Sequence, residues 1–196
     1  MNTVRAKQSR SYLGRVSTLK HLLKTAKLTF RRPRYAFFGS FDPFTLGHLE
    51  VYKRASDQLQ ADIDIVIVKS MFKENPALTL SQREKVIKSY LQDAHVYFAR
   101  DYHEIKRVKN CVQVIIKGAR DQTDRDHTNF VFKYYDISQK KLLQVEAEDH
   151  FRHISSRRLK QLIVAGKKHE ASKLANGSAI KALEQRLTEK GSLSGD

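Results

Sequence analysis

Ten residues, G-S-F-D-P-F-T-L-G-H from Gly39 to His48, directly follow the apolar run Tyr35–Phe38. Two glycines, a serine and a histidine at the end of an apolar strand are residue types that suit phosphate chemistry. Gly39 is expected to let the chain turn off the strand, and Gly47 to let a ligand or another backbone come close. Ser40 and the amides near it would face the same space. A helix opened by His48 would aim its unpaired amides and the positive end of its dipole at an anion. No G-K-[ST] follows and the six-residue G-x-G-x-x-G spacing is missing, so this is neither a P-loop nor a dinucleotide fingerprint. The stretch reads as a phosphate pocket with a histidine in it.

Such a pocket needs elements to hold it, and the chain from Arg34 onward alternates strands with helices. Tyr35–Phe38 is a short buried strand, and His48–Leu59 places Leu49, Tyr52, Ala55 and Leu59 on one helical face. I-D-I-V-I-V is the second strand. A helix over Leu80–Leu91 follows, with Ser81 as its cap and Glu84 as the capping-box partner. H-V-Y-F-A is the third strand, His103–Lys109 a helix, and V-Q-V-I-I the fourth strand. Four strand–helix alternations imply an α/β fold whose parallel sheet is covered by helices on both faces. Ligands of such sheets bind at the carboxyl ends of the strands, where Gly39–His48 falls.

The net charge of +16 invites a nucleic-acid reading, but its distribution argues otherwise. Residues 1–34 carry ten Lys/Arg and no Asp/Glu, whereas residues 35–156 carry 18 against 17. The patterned core is therefore close to neutral. In the first segment Val16, Leu19, Leu22, Leu23 and Ala26 recur at helical spacing between Lys20, Lys24 and Lys27, which describes a basic amphipathic extension. Three uses fit it: a solvated or edge-packed helix, an organellar transit peptide, or a surface for anionic membrane or nucleic acid. The break is expected near Pro33. Residues 35–165 then form the core, and 166–196 a C-terminal helical segment and tail. The single cysteine, Cys111, has no internal disulfide partner and reads as a buried strand thiol. With no long apolar stretch and no apolar signal core near the start, the expected location is cytoplasmic, or organellar if residues 1–34 are a transit peptide. His95, His103, His127, His150, His153 and His169 show no metal-ligand spacing and read as surface residues.

Gly39–His48 resembles the G-[ST]-F-D-P-x-T-x-G-H motif of the nucleotidylyltransferase superfamily, without a gap. Two further motifs, in the same order, are similar to those of bacterial phosphopantetheine adenylyltransferases. One is K-G-A-R-D-Q-T-D-R-D, with Lys117, Gly118, Arg120, Asp124 and Asp126 at the spacing of R-G-[LI]-R-x-x-x-D-[FY]-E. The other is H-I-S-S, with Ile154, Ser155 and Ser156 matching I-S-S-S. The resemblance covers about residues 35–165 and implies a Rossmann-like fold of the nucleotidylyltransferase type.

It further implies transfer of an adenylyl group from ATP to 4′-phosphopantetheine with release of pyrophosphate, a step of coenzyme A synthesis. His48 and Ser40 would act at the α-phosphate, and Gly39, Phe41, Gly47 and Gly118 would line the ATP site. Arg120 would bind the ATP phosphates, and Ser155 and Ser156 the departing pyrophosphate. Lys117 would hold the acceptor's phosphate, with Lys73 contributing to catalysis and acceptor binding. Mg²⁺ would come through the ATP phosphates, and a homo-oligomer, a hexamer, is implied. The H-I-S-S form is that of adenylyl-transferring relatives, in contrast to the R-T-x-G-I-S-T-T of cytidylyl-transferring ones. Asp124 and Asp126 read as helix-start acids favoured by the dipole.

Departures from the family pattern all fall near a ligand. Lys117 stands where the family has arginine, Lys73 sits one residue early with Glu74 in its place, and Thr128 replaces an expected acid. Two other readings therefore stay open. One is the same chemistry on another phosphorylated acceptor, such as nicotinamide mononucleotide. The other is a non-catalytic relative that binds nucleotide or nucleic acid, with the basic extension as its contact.

Overall fold

Alternate burial along each strand decides how the sheet is dressed. The computed structural model describes residues 34–69 and 76–192. It contains five parallel strands: β1 (Tyr35–Gly39), β2 (Asp64–Val68), β3 (Val96–Ala99), β4 (Val114–Ala119) and β5 (Leu142–Glu146), in the spatial order β3-β2-β1-β4-β5. Phe37, Ile65, Ile67, Ile116 and Val145 point to one face. Ala36, Phe38, Val66 and Ile115 point to the other. This period of two, buried on both sides, is what a parallel sheet between helix layers requires.

The first face is covered by α1 (Leu46–Leu59), α2 (Leu80–Lys88), α5 (Ser156–Val164), α6 (Lys168–Ser172) and α7 (Gly177–Ser192). The second is covered by α3 (Tyr102–Cys111) and α4 (Gln122–Tyr134), through Ile105, Val108, Phe132 and Tyr135. The C-terminal helices share the larger core, since Leu174, Ala175, Ala179 and Leu183 pack into it.

Several local expectations are corrected. A fifth strand, β5, pairs with β4 at the sheet edge, where four strands were expected. Helix α1 begins at Leu46, with Thr45 as its cap, so His48 lies in the first turn and does not open the helix. Helix α2 is capped by Thr79 with Gln82 as the reciprocal partner, not by Ser81 and Glu84, and ends at Lys88. Cys111 ends α3 and is half-buried; strand β4 starts only at Val114, because Val112 is still the cap of α3. The residues 1–33 that make up nearly all of the basic extension lie outside the described residues, as does Lys73.

Candidate active site

Strand order reverses beside β1, which has β2 on one side and β4 on the other. At the carboxyl end of these strands opens a cleft of about 560 Å³. Three helix N-termini converge on it: α1 with Gly47, α4 with Asp121 and Thr123, and α5 with Ser155 and Ser156. The helix-start amides and aligned dipoles add positive potential to that of the basic side chains on the cleft wall, Lys117 and Arg120 among them. Gly39, Ser40, Phe41, Gly47, His48, Lys117, Gly118, Arg120, Ser155 and Ser156 all line this cleft. Of the residues proposed from sequence, Lys73 is the one outside the described residues.

Both glycines of the opening stretch are there for close approach. A β-carbon on Gly39 would stand 2.6 Å from the Phe41 ring, so the glycine makes room for a buried aromatic and is not the turn off the strand. The turn belongs to Phe41, which holds φ at 44° in the left-handed region while its ring is 1% exposed. A β-carbon on Gly47 would stand 3.1 Å from the Ile154 carbonyl, and so this glycine lets the segment leading into α5 lie against the start of α1.

His48 is half-buried within an aromatic set. The rings of Phe41 and Phe44 each lie 5.3 Å from its own, and that of Phe37 lies 6.3 Å away. Its Nδ1 accepts the Thr45 amide at 3.1 Å and stands 2.9 Å from the Thr45 hydroxyl. A nitrogen that accepts an N–H carries no hydrogen itself, so the neutral ring holds its proton on Nε2. The histidine thus caps its own helix with one nitrogen and keeps the other as a donor.

The loop carrying Ser40 is clamped from two helices, α2 and α5. Asp42, 1% exposed, accepts the amides of Ala77 at 2.9 Å and Leu78 at 2.8 Å, and pairs with Arg83 at 3.5 Å and Lys160 at 3.4 Å. Arg83 also donates to the Ser40 carbonyl at 3.1 Å and to the Leu78 carbonyl at 2.9 Å. Burial holds its guanidinium below the ordinary arginine range, with Asp42 opposing. Ser156 donates its hydroxyl to the Pro43 carbonyl at 2.8 Å, while the Ser155 hydroxyl accepts the Arg158 amide at 3.1 Å and caps α5. Each of these two serines therefore has a structural partner in addition to its place on the cleft wall.

The cation of β4, Lys117, and the one that directly follows the strand, Arg120, differ in how they are held. Lys117 is half-buried and donates to the Phe38 carbonyl at 3.1 Å. Burial pushes its ammonium down to about 8, with Asp124 pulling the other way. Arg120 forks onto Asp124, Nε at 2.7 Å and Nη2 at 3.0 Å, which raises the guanidinium. Burial pushes the Asp124 carboxyl up, yet the bonds from Arg120 hold it below the usual carboxylate range. The described residues contain no group of three or more His, Cys, Asp or Glu that could hold a metal ion. Their donor set of hydroxyls, amides and cations suits phosphate oxygens.

Residues 36–162 match the family profile described as cytidylyltransferase-like. The chain belongs to this family. Among its relatives are the phosphopantetheine adenylyltransferases of Streptococcus gordonii, 28% identical over 163 residues that span 79% of this chain and 95% of the relative, and of Limosilactobacillus reuteri, 30% identical over 162 residues that span 79% and 90%. Among solved structures, Thermotoga maritima TmcAL bound with alpha-thio ATP shares the fold with a TM-score of 0.53 at 10% identity, over 80% of this chain and 56% of that one. As a cytidylyltransferase-like protein with these relatives, the chain is a nucleotidyltransferase, which sets aside the non-catalytic reading.

Sequence reasoning passed over Arg157, which lines the cleft directly after the serine pair, and assigned His127 to the surface. His127 is exposed, but it also lines the cleft, one helical turn beyond Asp124. The spacing of three residues from Asp124 on α4 was the available signal for His127.

Proposed function

We propose that the chain transfers the adenylyl group of ATP to 4′-phosphopantetheine and releases pyrophosphate. The observation that carries this reading is the single cleft that gathers His48, Ser40, Lys117, Arg120 and the α5 N-terminus at the end of β1 and β4. An oxygen of the acceptor's phosphate attacks the α-phosphorus of ATP. The bond from that phosphorus to the bridging oxygen breaks, and pyrophosphate leaves. The attacking oxygen is already anionic, so no general base is needed, and catalysis rests on orientation and charge stabilisation. His48 donates from Nε2 to an α-phosphate oxygen as charge builds there. Arg120 and the amides opening α5 hold the β- and γ-phosphates until they depart. Lys117 anchors the acceptor's phosphate.

Mg²⁺ bound to the triphosphate would neutralise part of its charge, held by phosphate oxygens in this reading. The acceptor rests on the relatives named phosphopantetheine adenylyltransferase. Lysine at 117 and threonine at 128 favour keeping other phosphorylated acceptors in the test. Pyrophosphate release should be measured with ATP and CTP against a panel including 4′-phosphopantetheine and nicotinamide mononucleotide. The expected result is turnover with ATP and 4′-phosphopantetheine. Faster release with CTP overturns the nucleotide assignment, and turnover confined to another acceptor overturns the acceptor assignment.

A further inference from the structure

Beside the phosphate cleft lies a second cavity of about 420 Å³, walled largely by apolar side chains of β4, α3 and α4 that include Ile105, Ile115, Phe132 and Tyr135. Six residues line both cavities: Phe38, Gly39, Ser40, Lys117, His127 and Arg157. The serine pair faces the cleft alone, and the apolar wall faces the second cavity alone. A nucleotide in the first volume and the organic part of an acceptor in the second would bring the acceptor's phosphate to this shared wall.

Charge at the shared wall is short by one cation. A phosphate monoester carries about 1.5 to 2 negative charges at pH 7. Lys117 offers a compact ammonium, and one of its protons already goes to the Phe38 carbonyl. The fork of Arg120 is taken by Asp124, while Lys160 and Arg83 are turned to Asp42. Arg157, the second residue of α5, lines both cavities and has no hydrogen-bond or ion-pair partner among the described residues. We propose that Arg157 is a second cation for the acceptor's phosphate, joining Lys117 where the two cavities meet. The inference rests on the proposed transfer to a phosphorylated acceptor. A guanidinium supplies the planar two-pronged grip on phosphate oxygens that a lysine at 117 lacks.

The test uses the full chain as wild type, Arg157→Ser and Arg157→Lys. Arg157 is exposed, so both variants should melt as wild type does. Arg157→Ser should raise the acceptor KM at least tenfold while the ATP KM moves less than twofold, and Arg157→Lys should recover part of the loss. By calorimetry, wild type should prefer 4′-phosphopantetheine to pantetheine, which lacks the phosphate, and Arg157→Ser should narrow that preference at least tenfold. An unchanged preference overturns the proposal, and so does an effect confined to the ATP KM. Should turnover occur with a different phosphorylated acceptor, the phosphopantetheine reading falls, and the Arg157 comparison is then decided on the KM of that acceptor.

Discussion

The Nδ1 of His48 is committed to the Thr45 amide, so a proton offered to a ligand must leave from Nε2. His48→Ala removes the donor and the cap together. Turnover should fall about 100- to 1000-fold, with a much smaller change in the ATP KM, and stability should fall by about 1 kcal/mol. His48→Gln separates the two roles, because a glutamine at this helix position serves as the reciprocal cap partner on α2, where Gln82 bonds Thr79. The glutamine variant should melt within about 0.5 kcal/mol of wild type and still turn over far more slowly. Steady-state kinetics and thermal melts on the same preparations check both; a glutamine variant with wild-type turnover removes the ring from the chemistry. Lys117 gives a prediction in pH. With its ammonium near 8, it is charged below that pH and neutral above it. The acceptor KM should therefore rise as pH climbs through 8 to 9, and Lys117→Arg should flatten the rise, because an arginine stays charged. For folding the sign is opposite. The unfolded lysine holds its proton to a higher pH than the folded one, so this group adds stability as pH rises above 8. An acceptor KM that stays flat from pH 7 to 9 would place the phosphate away from Lys117.

Between elements, the buried carboxylate of Asp42 does what no single helix contact does. It binds the segment entering α2 through two amides, Arg83 of α2 and Lys160 of α5, while Arg83 fixes the carbonyl of Ser40. Asp42→Ala leaves Arg83, itself 4% exposed, without its counter-charge. The loss should be about 3 to 5 kcal/mol, read as a lowered urea midpoint with an unchanged slope, and a loss under about 1 kcal/mol would mean that the clamp is not a stabilising unit. How far such features could be read from sequence follows from the range of the interaction. The first four strands were legible because strands covered on both faces are rich in apolar runs, as in Ile65–Val68. Strand β5 was not, because Gln144 and the exposed Glu146 interrupt its apolar residues, as suits a sheet edge. The capping residue of α2 was missed by two positions, since Thr79 and Gln82 form the same kind of pair as Ser81 and Glu84 and only backbone geometry tells them apart. Gly39–His48 was legible as a site because the glycines, serine and histidine are contiguous. Arg157 and the clamp through Asp42 join residues far apart in sequence, and local pattern is silent on them.

Across the whole molecule, the described residues account for both coverings of the sheet. One face is closed by α1, α2, α5, α6 and α7, the other by α3 and α4, all from segments after Arg34. Among the described residues, those that line the cleft run from Phe37 to Arg157. Residues 1–34 contrast with this core in composition, with ten basic residues and no acid. A chain beginning at Arg32 should therefore fold, with a melting temperature within about 4 °C of the full chain, the shift that 1 kcal/mol produces in a domain of this size, and should retain most of its pyrophosphate release. The lost positive charge should appear elsewhere: affinity for nucleic acid or anionic vesicles at low salt should drop if the extension is a partner surface, and the drop should vanish as salt is raised. Measuring melts, turnover and binding to both polyanions on the two chains separates the cases. Precipitation or loss of turnover in the shorter chain would show that the extension completes the core or the site. Equal binding by both chains would return the basic segment to the role of a solvated helix.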